Sequence, residues 1–279
     1  MVEELRGNVV GLSAVFLDGD RNTVRRQESN LGNLTADANL WWACQTDDSV
    51  LVSIKNGGGI RASIGQVVFP PGSTDPGDVE RLPTDGGVVS QLDVQSALAF
   101  NNGLTLLTLT AAELVEVIEH AVAESDRGNS PGRFPQVGGI RFSWDLDQPP
   151  GRRVQTLAIV DDSGAVIDIV VANGMLQGAP GRIFRTVTLD FLANGGDSYP
   201  FPQTDRVDLR EPDTAPRSGL FDFAPDGTEQ DALAEYMGTF YAEAPFDLPE
   251  TAPIDDLRIH NLSVPGKVDT VLDALPLAD

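Results

Sequence analysis

Asn56-Gly-Gly-Gly-Ile-Arg61 follows Val50–Ile54, a short run rich in β-formers. Glycines after a strand tolerate φ > 0 and lack the Cβ atoms that would hold a ligand away from the backbone. Arg61, at the end of the run, has the fork geometry to pair bidentately with a phosphate. The plain alternative is a flexible turn followed by a surface arginine, and a short glycine motif read alone does not decide between them. Two further stretches share its character. Glu28-Ser-Asn-Leu-Gly-Asn-Leu-Thr-Ala-Asp37 leads into a helix, and Phe191-Leu-Ala-Asn-Gly-Gly-Asp197 sets an aromatic residue and a carboxylate around a Gly-Gly pair.

Around these stretches the chain alternates helices and strands irregularly. A helix is expected after Asn30, with Leu31, Leu34, Ala38, Trp41 and Trp42 on its apolar face. Leu104–Leu109 reads as a strand. Thr110-Ala-Ala-Glu113 is a capping box opening a helix that buries Leu114, Val117, Ile118 and Val122. Strands are expected over Gly138–Trp144, Thr156–Val160, Val166–Val171, Phe184–Leu189 and Leu257–Ile259. Thr228 caps a last helix carrying Leu233, Tyr236, Met237 and Phe240. Without regular βαβ alternation the expected class is α+β, a mixed sheet with packed helices. The expected organisation is a linker over 1–8, one domain over 9–265 with a Pro/Gly-rich loop insertion at 66–87, and a tail over 266–279.

Composition narrows the partners. Lys+Arg 19 against Asp+Glu 42 gives a net charge of −23, which repels polynucleotide phosphates and argues against a nucleic-acid polymer. A small phosphorylated ligand would need arginines of its own. The 41% hydrophobic content fits a folded domain, no run is long enough for a transmembrane helix, and no membrane association is expected. Cys44 is the single cysteine, so no intrachain disulfide can form.

The candidate ligand chemistry is consistent across the stretches. Asp197 can accept hydrogen bonds from a ribose diol, and Phe191 can offer a flat face to a base. For Phe191 taken alone, a core residue before a Gly-Gly turn is the better reading. Phe100, in Phe100-Asn-Asn-Gly103, is a second stacking candidate, and the amide of the neighbouring Asn102 can meet a base edge with a donor and an acceptor. Catalytic clusters are not apparent. His120 and His260 are the two histidines, His120 lying within a helix and His260 read as a surface residue. No Asp-x-His or Asn-His-(Asp/Glu) metal pattern and no Ser-His-Asp or Cys-His arrangement occurs.

Together these segments resemble the C-terminal, nucleotide-binding domain of the 5'-nucleotidase family, over about residues 9 to 260. Arg25, before Gln27-Glu-Ser-Asn30, occupies the position of a phosphate-contacting arginine. Asn56–Arg61 matches the family's Asn-Gly-Gly-Gly-Ile-Arg loop without change, which implies Asn56 near the nucleoside, Arg61 on phosphate, and Gly58 and Gly59 among the substrate-binding residues. Ala99-Phe100-Asn101-Asn102 resembles a Pro-Phe-Gly-Asn segment whose Phe stacks on the base and whose Asn contacts it, with Phe100 and Asn102 kept and Ala99 and Asn101 replacing the proline and the glycine. Phe191 and Asp197 match the second stacking Phe and the ribose-binding Asp, and Gly132–Arg141 resembles a folding segment.

The resemblance implies a domain that holds base and ribose and presents phosphate to a pair of divalent metals. Those metals would sit on an N-terminal metallophosphoesterase domain of the same polypeptide, absent from this chain. It also implies a periplasmic or secreted location, with the signal upstream. This chain alone is then expected to bind no metal cofactor and to be catalytically inactive. Two alternatives are a stand-alone nucleotide-binding module and a domain kept for interaction after its pocket decayed.

Overall fold

The computed structural model describes residues 2–273 except Thr74, Pro76, Gly77 and Arg127. Its centre is a five-stranded mixed sheet of Val50–Asn56 (β2), Leu104–Thr110 (β6), Pro135–Gly138 (β7), Ile183–Leu189 (β12) and Val207–Asp208 (β13). The order is β13-β6-β12-β2-β7, with β12 and β2 parallel and the other neighbours antiparallel. The inner strands are buried along nearly their whole length, as strands covered on both faces must be.

A second five-stranded sheet runs Met175–Leu176 (β11), Val166–Ala172 (β10), Val154–Val160 (β9), Ile140–Trp144 (β8) and Ile259–Asn261 (β14). Two small ribbons complete the strands: Val9–Leu12 (β1) with Val88–Ser90 (β5), and Gln66–Val68 (β3) with Glu80–Leu82 (β4). The 66–87 stretch therefore carries a hairpin rather than an unstructured loop.

The helices are Val2–Gly7 (α1), Arg21–Val24 (α2), Asn30–Thr46 (α3), Gln91–Ala97 (α4), Ala111–Val122 (α5), Asp190–Ala193 (α6) and Glu229–Phe240 (α7). Thr110 and Glu113 form the expected reciprocal cap on α5, which buries Leu114, Val117, Ile118 and Val122. Thr228 caps α7 by accepting from the Asp231 amide. Ser90 and Asp93 make a second capping box, on α4, a helix that the sequence reading did not anticipate.

Two apolar clusters hold these layers. One joins the central sheet, α5 and the second sheet; the other joins β1, α3, α4 and α7. Helix α3 serves both: Leu31, Leu34 and Ala38 enter the second cluster, and Trp42 packs on the first. Trp41 meets Tyr236 and Phe240 edge-on, with ring centres 5.7 Å away in each case. The anticipated single face is thus split between its two tryptophans.

Two further expectations are corrected. Gly138–Trp144 is not one strand: Gly139, at φ +70°, turns the chain from the central sheet into the second, and a Cβ there would lie 1.9 Å from the Leu51 carbonyl oxygen. The last strand is Ile259–Asn261 rather than Leu257–Ile259, and it places His260 in the interior at 1% exposure, not on the surface. Burial holds the His260 imidazole below its ordinary pKa, aided by the Lys267 charge. The stretch from 266 to 273 packs down as well. Asp269 accepts from the Ser143 and Thr156 hydroxyls at 2.6 Å each, and Val271 is fully buried.

Candidate functional site

Strand register gathers the quoted segments at one end of the central sheet. Leu104 pairs with Leu189, Ile54 with Thr188, and Asn56 with Pro135. The C-terminal ends of β2 and β12 and the N-terminal ends of β6 and β7 therefore share an edge. From that edge emerge Gly57–Arg61, Asp190–Asp197, Phe100–Gly103 and Gly132–Phe134. The Asp190 amide donates to the Gly103 carbonyl at 2.8 Å and ties two of these loops together.

Gly57–Gly59 forms one 3₁₀ turn and keeps φ negative, so the permissive φ > 0 expected of these glycines is not used. Their role is close approach. Gly57 N donates to Phe134 O at 2.7 Å and Gly58 N to Gly132 O at 2.8 Å. A Cβ on Gly57 would sit 1.7 Å from the Val24 carbonyl oxygen. The turn is thereby clamped between α2 and the segment before β7.

Arg25 ends α2 and is 8% exposed, its Nε buried without a partner. Burial lowers its pKa, followed by the charges of Arg21 and Arg61, while Asp197 opposes them. Arg61 is exposed: its guanidinium lies over the Phe100 ring, 5.5 Å from the centre, and Nη1 donates to Gly58 O at 3.3 Å. Among the described residues neither arginine forms an ion pair with a carboxylate. In a chain of net charge −23, these two mutually repelling guanidinium groups, neither in an ion pair, make a local positive spot with Asp197 beside it. A concavity at the far end of the same sheet, lined by Cys44, Asp47, Asp48 and Arg185, contrasts with it, because there Arg185 is neutralised by Asp47 at 2.9 Å.

Asp197 and Ser198 stand consecutively in the left-handed region, at φ +50° and +60°. For non-glycine residues this stores strain of order 1 kcal/mol each and persists only where neighbours enforce it. Enforcement is visible. Asn56 Nδ2 donates to Asp197 Oδ2 at 2.7 Å, and His120 Nε2 lies 3.0 Å from the Asp197 carbonyl oxygen. His120 also meets Tyr199 edge-on, and the Tyr199 hydroxyl donates to Arg133 O at 2.5 Å. Arg25 and Asp197 both border Gly132, whose missing Cβ would lie 3.5 Å from Asp197 Oδ2 and 3.9 Å from Arg25 Nη1. Asn56 Oδ1 is buried without a partner.

The aromatic residues flank this spot. Phe100 is 61% and Phe191 43% exposed, so neither is a core residue, and the core reading of Phe191 is corrected. The rings do not touch each other. Phe191 lies on Gly196, where a Cβ would come within 2.5 Å of its Cζ. Asn101 takes φ +47°, the conformation a glycine would supply and one that Asn tolerates better than most residues.

Asn102 is less free than its sequence position suggests, because its Nδ2 donates to Glu229 Oε1 at 2.8 Å. Glu229 and its partner Lys55 were not singled out from sequence, and neither were His120 and Gly132 as supports of the Asp197 turn. Lys55 had one visible signal, a lone charge in an otherwise β-rich run.

Among the described residues no group of three or more His, Cys, Asp or Glu side chains is arranged to hold a metal ion. No helix among them is long and apolar enough to cross a membrane.

Residues 9–204 match the family model described as 5'-nucleotidase, C-terminal domain. The trifunctional nucleotide phosphoesterase protein YfkN of Bacillus subtilis is 32% identical over 71% of this chain, which spans 11% of that protein. A snake venom 5'-nucleotidase of Macrovipera lebetinus is 29% identical over 68% of the chain, corresponding to 42% of the relative. The crystal structure of a 5'-nucleotidase precursor from Thermus thermophilus superposes with a TM-score of 0.68 and 26% identity. It covers 95% of this chain and 41% of its own. In each case the chain spans less than half the length of the relative.

Proposed function

Through residues 9–204 this chain belongs to the family of 5'-nucleotidase C-terminal domains, and from that premise we propose that it binds a nucleotide or other nucleoside phosphate at the shared sheet edge. Arg25 and Arg61 receive the phosphate, Phe100 and Phe191 hold the base, and Asp197, fixed by Asn56, takes the ribose hydroxyls. Gly58 and Gly59 let the ligand approach the backbone. The observation that carries this reading is the close pair of arginines, neither in an ion pair, in a strongly acidic chain beside two exposed aromatic rings. Two neighbouring guanidinium groups, neither held in an ion pair, are available to an anion.

In the same reading the domain presents the phosphate to a divalent metal pair on a metallophosphoesterase domain of the same polypeptide. The whole protein hydrolyses the ester outside the cytoplasm, in the periplasm or after secretion. The chain by itself releases no phosphate, because binding residues supply neither an activated hydroxide nor a Lewis acid. Support comes from the short span of the relatives that the chain covers and from the venom source of one of them.

Calorimetric titration tests the binding claim. The 5'-monophosphate of adenosine should bind more tightly than adenosine, and Arg61→Ala should remove most of that difference while leaving adenosine affinity nearly unchanged. Equal weakening of both ligands would show that Arg61 does not read phosphate. Phosphate release by the purified chain with added Mn²⁺, Zn²⁺ or Co²⁺ would refute the inactivity claim.

A further inference from the structure

Behind Asn102 lies a buried ion pair. Lys55, the last residue before Asn56, places Nζ 3.0 Å from Glu229 Oε2, and both side chains are fully buried. The other carboxylate oxygen, Oε1, accepts from the Asn102 backbone amide at 3.0 Å and from its Nδ2 at 2.8 Å. The Glu229 amide in turn donates to the Asn102 carbonyl at 2.9 Å. One carboxylate at the start of α7 thus joins the strand leading to the glycine turn and the loop carrying Phe100.

The chemistry fixes an orientation. An ionised carboxylate only accepts hydrogen bonds, so the amide group facing it must be Nδ2. Flipping Asn102 would set its oxygen against a buried carboxylate that already accepts from the Lys55 ammonium and the Asn102 backbone amide. With nitrogen held inward, Asn102 Oδ1 has no partner among the described residues, and the side chain is only half-buried.

Resting on the nucleotide-binding reading above, we infer that Glu229, held by Lys55, is a positioning residue that turns the Asn102 carbonyl oxygen toward the ligand, so that the site selects nucleobases donating an N–H at that edge, an exocyclic amine such as adenine's in particular. A site built to hydrogen-bond such a group discriminates against the analogue that lacks it.

The test compares adenosine with purine riboside, which lacks only the 6-amino group, by calorimetric titration of this chain. Adenosine should bind about tenfold more tightly, in line with one hydrogen bond to an otherwise unpaired acceptor. Lys55→Met combined with Glu229→Met removes the lock with little change of volume and should reduce the ratio to about threefold or less. Lys55→Met with Glu229→Gln restores an acceptor, whose oxygen must still serve the Asn102 backbone amide, and should recover most of the ratio. A merely structural ion pair would change melting temperature and absolute affinity in both variants without changing the ratio. Equal binding of the two nucleosides to the unmodified chain overturns the inference and leaves the nucleotide reading standing. So does an unchanged ratio in the cooperatively folded Met/Met variant. Binding of neither nucleoside overturns both. The first comparison requires no variant and decides even if the double substitutions do not fold.

Discussion

Asn56 donates its side-chain amide to the Asp197 carboxylate at 2.7 Å across a sequence separation of 141 residues, joining the end of β2 to the turn after α6. The bond links the glycine loop to the Asp197 carboxylate and helps hold that residue on a left-handed backbone. Asn56→Ala should weaken nucleoside binding by about 1–2 kcal/mol, the cost of losing a charge-assisted hydrogen bond. Asn56→Asp should do worse at neutral pH, because two carboxylates would then meet. Its affinity should recover in part on acidification, as the shared site takes up a proton and the repulsion is relieved. Titrations at pH 5 and pH 7 check this; equal deficits at both would show that charge at this contact is irrelevant.

Arg61 and Phe100 should act as one unit. The guanidinium lies 5.5 Å from the ring centre, so Phe100→Ala removes both a base platform and the surface that steadies Arg61. Each single alanine variant should lower nucleotide affinity, Phe100→Ala by about 1–3 kcal/mol. The double variant should fall short of additivity by about 0.5–1 kcal/mol. Because Phe100 is mostly exposed, its substitution should leave the melting temperature almost unchanged. Strict additivity would dissolve the unit.

Gly57 should be the least replaceable residue of the glycine run. A Cβ there would fall 1.7 Å from the Val24 carbonyl oxygen, inside the backbone and beyond rotamer relief. Gly57→Ala should cost about 3 kcal/mol or more in thermal unfolding. Gly181→Ala, where nothing lies within 4 Å of the added carbon, should stay within about 0.5 kcal/mol of the parent.

How much of this was legible in the sequence depended on distance along the chain. The Thr110–Glu113 cap and the buried face of α5 follow from local periodicity, and the structure contains both. The α4 capping box at Ser90 and Asp93 was equally local and was overlooked among the surrounding turn residues. The bend at Gly139 was not legible. A Gly-Gly pair inside an apolar run fits one strand as well as two, and only the Leu51 carbonyl decides. His260 looked like a surface residue because parallel pairing of Ile259 with Phe142 leaves no trace in either segment. The loops at the sheet edge could be named from their residues. The Lys55–Glu229–Asn102 connection could not, because it exists only after three elements meet.

Acidity should stabilise the carboxyl-terminal region. Burial, with Glu28 adding to it, raises Asp256 to about 8, against the opposing effects of Thr251 and Lys267. Burial raises Glu250 to about 7. The folded chain therefore holds protons that the unfolded chain releases near pH 4, so this stability is full below pH 4 and is lost as pH rises toward 8. Asp256→Asn keeps the acceptor for the Thr251 hydroxyl, 2.9 Å away in the parent, without the ionisation. It should flatten the pH dependence and raise the melting temperature at pH 8 relative to the parent. A variant with the same slope as the parent would show that Asp256 is ionised in the folded state throughout.

The central claim is tested most directly by a crystal structure of this chain soaked with adenosine 5'-monophosphate. The account predicts the phosphate within hydrogen-bonding distance of Arg25 and Arg61, the ribose diol on Asp197, and the adenine ring against Phe100 and Phe191. Density instead in the concavity lined by Cys44, Asp47 and Arg185, or a phosphate turned away from both arginines, would contradict it.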